Sequence, residues 1–246
     1  MKTDRVPTGI PGFDKLIGGG FIRGSNNLLA GGTGAGKSIF SMQFLYNGIT
    51  KFNEPGLYIS FEEPIESLKE DAKMFGWDFE KFEKNNKMTF LYLTPYTTTD
   101  LQALLAEEIP KSKAKRVVID SISVFAMALD DIYRIRKQVY FLASTLQKIG
   151  ATSLLTSEIT GEAPVDISNT SRDGSFSRYG VEEFVADSVI TLHNAGLGGG
   201  GDRAVRILKM RRTDHTKGPV PFEIGTQGIK IFQKERSYRW SWNQNQ

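Results

Sequence analysis

The chain has 246 residues, which at about 100–200 residues per domain corresponds to one large domain or two small ones. Hydrophobic residues make up 39% and charged residues 24%, values typical of a folded globular protein, so disordered and fibrous classes are excluded. The formal net charge is only +3, and the absence of cysteine excludes disulfide frameworks, thiolate zinc sites and cysteine nucleophiles.

Strands and helices are predicted to alternate up to residue 156. Apolar runs of strand length are followed by stretches whose apolar residues lie three or four positions apart, the spacing of a helix with one buried face. The predicted strands are 27–30, 57–61, 88–93, 116–120 and 151–156, and the predicted helices are 37–52, 64–75, 100–109 and 130–149. This alternation predicts an α/β fold, a mostly parallel sheet with helices on both faces.

The pattern changes after residue 160. Residues 160–180 are polar and rich in turn-forming residues, and short strands are predicted at 186–192, 203–212 and 219–232. These strands predict an antiparallel extension at the C-terminal edge of the sheet. Because no Pro/Ser-rich linker divides the chain and no motif repeats, we expect one domain over 1–242 and a polar tail at 243–246.

A glycine-rich segment between the first predicted strand and helix carries the most specific signal. Its sequence, GGTGAGKS at 31–38, has a glycine, four further residues and then Gly-Lys-Ser, the pattern of a phosphate-binding loop. Backbone N–H groups of such a loop surround the phosphates, while Lys37 reaches the β- and γ-phosphates and the Ser38 hydroxyl binds Mg²⁺. The predicted nucleotide-binding residues are Gly31, Gly32, Thr33, Gly34, Ala35, Gly36, Lys37, Ser38 and Ile39.

Hydrolysis also requires a carboxylate near the magnesium ion and a group that orients the attacking water. Asp120 ends an apolar predicted strand and is the candidate for holding Mg²⁺, directly or through water. Glu62 and Glu63 follow another predicted strand, where one of them could activate the water. In the alternative interpretation both only begin the next helix, because carboxylates are favoured at the N-terminal end of the helix dipole.

Short segments along the chain match one family in order and in spacing. They are TGIPGFD at 8–14, GGG at 18–20, FEE at 61–63, FGWD at 75–78, IDS at 119–121, IGAT at 149–152, YGVEEF at 179–184 and KMR at 209–211. Together with the phosphate-binding loop, this set resembles the KaiC-like branch of the RecA superfamily over nearly the whole chain.

The resemblance implies a Mg²⁺-dependent ATPase that forms a homo-oligomeric ring, usually a hexamer, with ATP bound between neighbours. In that family the acidic pair supplies the catalytic carboxylates, so Glu62 and Glu63 are assigned as catalytic together with Lys37. A KxRxTxH stretch contacts the phosphates of the adjoining subunit, and here its residues are Lys209, Arg211, Thr213 and His215. The assignment accounts for the basic segment 203–239, which holds ten Lys/Arg against three Asp/Glu, because cations stabilise charge on the γ-phosphate.

The same resemblance implies that residues 156–158 sense the γ-phosphate and that the loop 160–180 faces the channel of the ring. Glu162, Asp166 and Asp173 offset Arg172 and Arg178 in this loop, a balance unfavourable for DNA, which binds clustered Lys/Arg. We also expect no N-terminal helix-hairpin-helix module of the kind that archaeal recombinases carry. Nucleic acid is therefore not the expected partner.

Two departures from the family bear on the biological role. The clock protein that gives the family its name has two such domains and autophosphorylates in the second, whereas we expect one domain in this sequence. Arg212 replaces a glycine of the clock motif. A role in a clock therefore does not follow, and autophosphorylation stays an open alternative.

Two other classes of function stay open beside a regulatory ATPase. One is a scaffold or sensor that binds ATP with negligible hydrolysis, for which a missing carboxylate would be expected. The other is a DNA-stimulated, recombinase-like ATPase, in which the aromatic tail of Tyr238, Trp240 and Trp242 would stack bases. The tail also suits a partner protein or the edge of its own domain.

No apolar run approaches the ~20 residues that cross a bilayer. The first residues lack the charged and then apolar pattern of a secretion signal. We therefore expect a cytoplasmic protein without membrane contact.

Overall fold

The computed structural model describes residues 4–94, 101–127, 131–159, 178–180, 182–196 and 202–232. The helices are Phe13–Leu16 (α1), Lys37–Phe52 (α2), Ile65–Met74 (α3), Phe79–Lys84 (α4), Leu101–Ser112 (α5), Ile122–Met127 (α6), Ile132–Ile149 (α7) and Glu182–Val185 (α8). The strands are Arg5–Val6 (β1), Phe21–Ile22 (β2), Asn26–Gly31 (β3), Gly56–Ser60 (β4), Met88–Tyr92 (β5), Arg116–Asp120 (β6), Thr152–Glu158 (β7), Ser188–Asn194 (β8), Arg203–Met210 (β9), Pro219–Gly225 (β10) and Gly228–Ile231 (β11). Within these ranges no helix has the length and apolar character needed to cross a bilayer.

Among the described residues, nine strands form one mixed sheet in the order β11-β10-β9-β8-β3-β7-β6-β4-β5. The six strands from β8 to β5 are parallel to one another. β9, β10 and β11 continue the sheet with antiparallel pairing. The α/β fold and the antiparallel C-terminal extension are thereby confirmed.

Helices cover both faces of this sheet, so side chains of the central strands are buried on either side. On one face Tyr58 and Val118 belong to a core cluster with Phe44 of α2. On the other face Leu57 and Val117 belong to a second cluster, which includes residues of α5 and α7. Strands buried on both faces are typical of parallel sheets.

Apart from 219–232, the predicted elements agree with the structure to within three residues at each end. Helix α2 and strand β6 have the predicted bounds. Residues 219–232, where short strands and glycines are predicted, form a hairpin that turns between β10 and β11. β1, β2, α1, α4, α6 and α8 have two to six residues each, too few for a periodic signal. The tail 233–246 and residues 160–177, including most of the acidic and basic loop residues, lie outside the described residues.

A fully buried arginine joins α2 to the sheet. Arg116 begins β6 and donates hydrogen bonds to the Glu54 carboxylate at 2.7 Å, the Phe44 carbonyl at 2.9 Å and the Pro7 carbonyl at 2.8 Å. Its guanidinium also lies 4.7 Å from the centre of the Phe44 ring. A Cβ at Gly48 of α2 would lie 2.5 Å from the Arg116 Cδ, so the close approach requires glycine there.

We predict that Gly48→Ala lowers the free energy of unfolding by about 1–3 kcal/mol, because the buried arginine must shift. In an uncrowded helix interior the same substitution would raise it by about 1 kcal/mol. Chemical denaturation at one fixed protein concentration measures the difference. Thr50→Ala, at an exposed position of the same helix, is the control and should be neutral or slightly stabilising. A Gly48→Ala variant as stable as the unsubstituted chain would contradict the packing argument.

Candidate active site

The glycine-rich loop follows β3 at the carboxyl edge of the sheet and leads directly into α2. Gly31 is the last residue of β3, which pairs with β7 on one side and β8 on the other. A Cβ at Gly31 would lie 2.8 Å from the Leu192 carbonyl oxygen. Gly36 precedes the helix with φ +100°, a left-handed conformation that favours glycine. The loop therefore presents the N-terminal end of a 16-residue helix, where backbone N–H groups are available to an anion.

Two cationic side chains hold the loop. Lys37 Nζ donates to the carbonyl oxygens of Gly31 at 3.0 Å and Gly32 at 3.2 Å. Arg203, the first residue of β9, donates to the Gly34 carbonyl at 2.7 Å. Sequence reasoning missed Arg203, which is one of many cations in its segment and reaches the loop only through the pairing of β8 with β9.

Ile39, the last residue of the predicted nucleotide-binding set, lies in the first turn of α2. Its side chain is partly buried and packs against the core cluster on the α2 face of the sheet. The structure therefore gives this side chain a packing contact, and its predicted nucleotide contact stays a prediction.

The Asp120 carboxylate is buried and accepts hydrogen bonds from three hydroxyl groups on three other elements. Ser38 Oγ of α2 lies 3.0 Å from Oδ2, and Thr156 Oγ1 of β7 lies 2.5 Å from Oδ1. The Tyr58 hydroxyl of β4 also donates to Oδ2. The pairing of β4 with β6 brings Tyr58 and Asp120 together. Ser60 of β4 is opposite Asp120, and Tyr58, two residues before Ser60, lies on the same face of the sheet.

Burial, and secondarily the charge of Asp120, raises the pKa of the Tyr58 phenol well above its usual range. The phenol therefore stays protonated and acts as a donor. Sequence reasoning missed Tyr58, which reads as an ordinary apolar strand position. Only the register of β4 against β6 reveals its contact.

The pairing of Ser38 with Asp120 suits magnesium. Hydroxyl and carboxylate oxygens are hard ligands, and Mg²⁺ in nucleotide sites commonly uses one or two protein oxygens together with water and phosphate oxygens. The two side chains lie within hydrogen-bond distance of each other at the N-terminus of α2. The donor set therefore fits the ion that the sequence predicts.

The two adjacent glutamates have different surroundings. Glu62 Oε1 accepts a 2.6 Å hydrogen bond from Ser121 Oγ, directly after β6. Burial raises the pKa of Glu62, and the charge of Asp120 adds to the increase, so Glu62 takes up a proton at a higher pH than a free glutamate. Glu63 instead accepts from Ser67 of α3 at 2.6 Å. Of the pair, Glu62 is therefore the carboxylate that contacts the residue directly after Asp120.

Polar residues at the end of β7 connect the site to a distant segment. Ser157 Oγ lies 3.0 Å from Ser123 Oγ, and the Glu158 carboxylate accepts from Arg178 at 2.6 Å. Arg178 follows the part of the loop 160–180 that lies outside the described residues. Residues 156–158, which are predicted to sense the γ-phosphate, are thus connected to Arg178 both along the chain and through this ion pair.

The basic residues predicted to contact a neighbour's phosphates lie far from the loop of their own chain. β8 is parallel to β3, and β9 is antiparallel to β8, so the end of β9 lies at the amino edge of the parallel strands. The glycine-rich loop lies at the carboxyl edge. The residues placed at the amino edge are Lys209, Arg211, Thr213 and His215.

Lys209 and Arg211 differ in what they contact. Lys209 Nζ donates to the carbonyl oxygens of Ala186 at 2.7 Å and Glu183 at 3.0 Å, and burial lowers its pKa. Arg211 lies 3.7 Å from the Asp187 carboxylate, and 53% of its side chain is exposed. Arg211 is therefore the better placed of the two to reach another molecule.

Thr213 and His215 are held within their own chain. Thr213 Oγ1 accepts a hydrogen bond from Arg5 at 2.9 Å. His215 Nε2 lies 3.2 Å from Lys217 Nζ. The structure thus places all four residues on one edge without bringing them into one cluster.

Comparison with known proteins agrees with this architecture. Residues 6–236 match the family model "ATPase: KaiC". The circadian clock oscillator protein KaiC of Parasynechococcus marenigrum is 38% identical over 242 residues, which cover 94% of this chain and 45% of the relative. The KaiC protein of Synechococcus elongatus is 38% identical over 93% of this chain and 44% of its own length.

A solved structure matches this chain over nearly its whole length. The KaiC-like protein from the hyperthermophilic archaeon Pyrococcus horikoshii OT3 matches with a TM-score of 0.80 and 38% identity, over 94% of this chain and all of that one. The chain spans about half the length of the curated KaiC relatives it matches. The fold and the glycine-rich loop define a RecA-type P-loop domain, and the chain belongs to the KaiC ATPase family.

Replacing the loop lysine tests whether the glycine-rich loop binds nucleotide. We expect Lys37→Ala to abolish binding of a fluorescent ATP analogue, measured by equilibrium titration, because the charge predicted to reach the β- and γ-phosphates is lost. Lys51→Ala, at the other end of the same helix, is the matched control and should bind normally. Unchanged binding by Lys37→Ala would contradict the assignment.

Proposed function

We propose that this chain is a Mg²⁺-dependent ATPase whose domain extends over residues 1–242. The observation that carries the proposal is the convergence of three strand ends. β3 leads into the glycine-rich loop, β6 ends at Asp120 and β4 is followed by Glu62, all at the carboxyl edge of the sheet. Loop, metal ligand and base are the three parts that phosphoryl transfer to water requires.

Each part has a definite task in the proposed reaction. Lys37 and the loop amides hold the phosphates, and Ser38 and Asp120 hold the metal. Mg²⁺ held by these two residues would neutralise part of the negative charge on the β- and γ-phosphates. Glu62 accepts a proton from water as the water oxygen bonds to the γ-phosphorus and the bond to the ADP oxygen breaks.

We expect substitution of the two glutamates to have different effects on ATP turnover. Glu62→Gln should retain nucleotide binding and lower turnover at least about 100-fold, because general-base catalysis contributes about 10²–10⁴-fold. Glu63→Gln, its neighbour hydrogen-bonded to Ser67, should lower turnover far less. Steady-state phosphate release with a parallel binding titration measures both. Normal hydrolysis by the Glu62→Gln, Glu63→Gln double variant would refute the base assignment.

We also propose that the chain works as a ring, a hexamer by analogy with its family, with ATP between neighbours. The exposed guanidinium of Arg211 lies on the edge opposite its own phosphate-binding loop. A head-to-tail contact between copies would bring the cationic edge of one subunit to the carboxylate edge of the next. Arg211 would then stabilise charge on the neighbour's γ-phosphate.

The surface beside Arg211 supports such a contact. A groove of about 540 Å³ is lined by Arg211, Arg136 and the aromatic side chains of Tyr133, Tyr140 and Phe184. These three aromatic residues are 79%, 59% and 63% exposed. Exposed aromatic and arginine side chains are enriched at protein interfaces, where they contribute much of the binding energy.

Mixing inactive variants tests whether the arginine acts in the neighbour. Lys37→Ala and Arg211→Ala should each be inactive alone. Co-expressed in equal amounts they should recover up to about a quarter of normal activity, because in a head-to-tail ring that share of sites pairs an intact loop with an intact arginine. Steady-state ATP hydrolysis by the purified mixture measures the recovery.

The matched control is a mixture of Lys37→Ala with Glu62→Gln. Both changes fall on the same side of the proposed interface, so no site in this mixture is intact and no recovery is expected. Equal behaviour of the two mixtures would contradict the assignment of Arg211 to a neighbouring site.

A further inference from the structure

Tyr58 combines a core position with a contact to the predicted metal ligand. Its ring is completely buried in the cluster beneath α2, with its centre 5.9 Å from that of the Phe90 ring. Its hydroxyl donates to Oδ2 of Asp120. The sequence offers no sign of this role, because the residue lies within an apolar strand.

The hydroxyl is not needed to fill space. A phenylalanine would occupy almost the same volume. Because the tyrosine hydroxyl is the donor in this hydrogen bond, removing it would leave no buried donor unpaired. The hydroxyl matters instead for the carboxylate, which would keep Ser38 and Thr156 as donors but lose one of the two hydrogen bonds to Oδ2. At position 58 the aromatic ring therefore fills the core, while the hydroxyl acts on the Asp120 carboxylate.

The geometry of the three donors fixes the carboxylate in two ways. Thr156 holds Oδ1, and Tyr58 holds Oδ2 from the strand on the other side of β6. Donors from the two flanking strands oppose rotation of the carboxyl group about its Cβ–Cγ bond. Oδ2 is also the oxygen that Ser38 contacts, so its position relative to the α2 hydroxyl depends on Tyr58.

We propose that Tyr58 is a positioning residue for magnesium, which holds the Asp120 carboxylate in the orientation that lets it act together with Ser38. This inference rests on the proposed function, since it concerns the same metal site. Groups that orient a metal ligand from behind commonly contribute about 10–100-fold to metal affinity or activity.

The test compares Tyr58→Phe with the unsubstituted chain in the Mg²⁺ concentration that half-saturates Mg²⁺-dependent binding of a fluorescent, non-hydrolysable ATP analogue. We expect that concentration to rise about tenfold, while binding of the analogue in EDTA stays close to that of the unsubstituted chain. The melting temperature should fall by only a few degrees, because two of the three donors to the carboxylate remain. Turnover at saturating Mg²⁺ should largely recover. A purely structural role would lower the melting temperature or kcat without this selective dependence on magnesium.

Tyr46→Phe is the matched control. Tyr46 lies in α2 and stacks on Trp77, with ring centres 5.5 Å apart, on the same core cluster. Removing its hydroxyl should leave the half-saturating Mg²⁺ concentration unchanged. An equal shift in both variants would overturn the inference, because the effect would then belong to the core in general.

A double substitution tests whether Tyr58 acts through Asp120. In an Asp120→Asn background, Tyr58→Phe should cause little further change in the half-saturating Mg²⁺ concentration, since the two residues contribute through one contact. Independent, multiplying effects would overturn the inference.

The outcomes separate the inference from the proposed function. If the unsubstituted chain shows no Mg²⁺-dependent nucleotide binding, both are overturned. If it shows such binding and Tyr58→Phe needs no more Mg²⁺ than the unsubstituted chain, the inference alone is overturned.

Discussion

The buried carboxylate of Asp120 is the constraint on which the site depends. A negative charge out of water is costly unless hydrogen-bond donors surround it. Ser38, Tyr58 and Thr156 supply those donors from one helix and two strands. Satisfying the carboxylate therefore fixes the N-terminus of α2 against β4, β6 and β7, and with it the position of the glycine-rich loop.

The direction of the strands places the predicted catalytic groups and the basic residues of β9 on opposite edges of the sheet. Parallel strands place the loop, Asp120 and Glu62 at the carboxyl edge, and the reversed direction of β9 places Lys209 and Arg211 at the amino edge. Groups of opposite charge on opposite edges suit a head-to-tail assembly, since each copy then offers what the next lacks. In the proposed ring, activity and assembly are therefore linked through one sheet.

The sequence predicted the parts of the site that local pattern encodes. Glycine spacing identified the loop, and the strand-ending positions of Asp120 and Glu62 placed both at the same edge as the loop. It could not predict the contact of Tyr58, because that depends on register between strands about 60 residues apart. Nor could it separate Glu62 from Glu63, since their difference arises from a hydrogen bond to Ser121, which directly follows the neighbouring strand β6.

Steady-state ATP hydrolysis by the unsubstituted chain tests the central claim most directly, measured with Mg²⁺, with EDTA, and with Mg²⁺ plus single-stranded DNA. The account predicts slow turnover that requires Mg²⁺ and is indifferent to DNA. Nucleotide binding without turnover would contradict it in favour of a sensor or scaffold. Stimulation of several-fold by DNA would contradict it in favour of a recombinase-like motor.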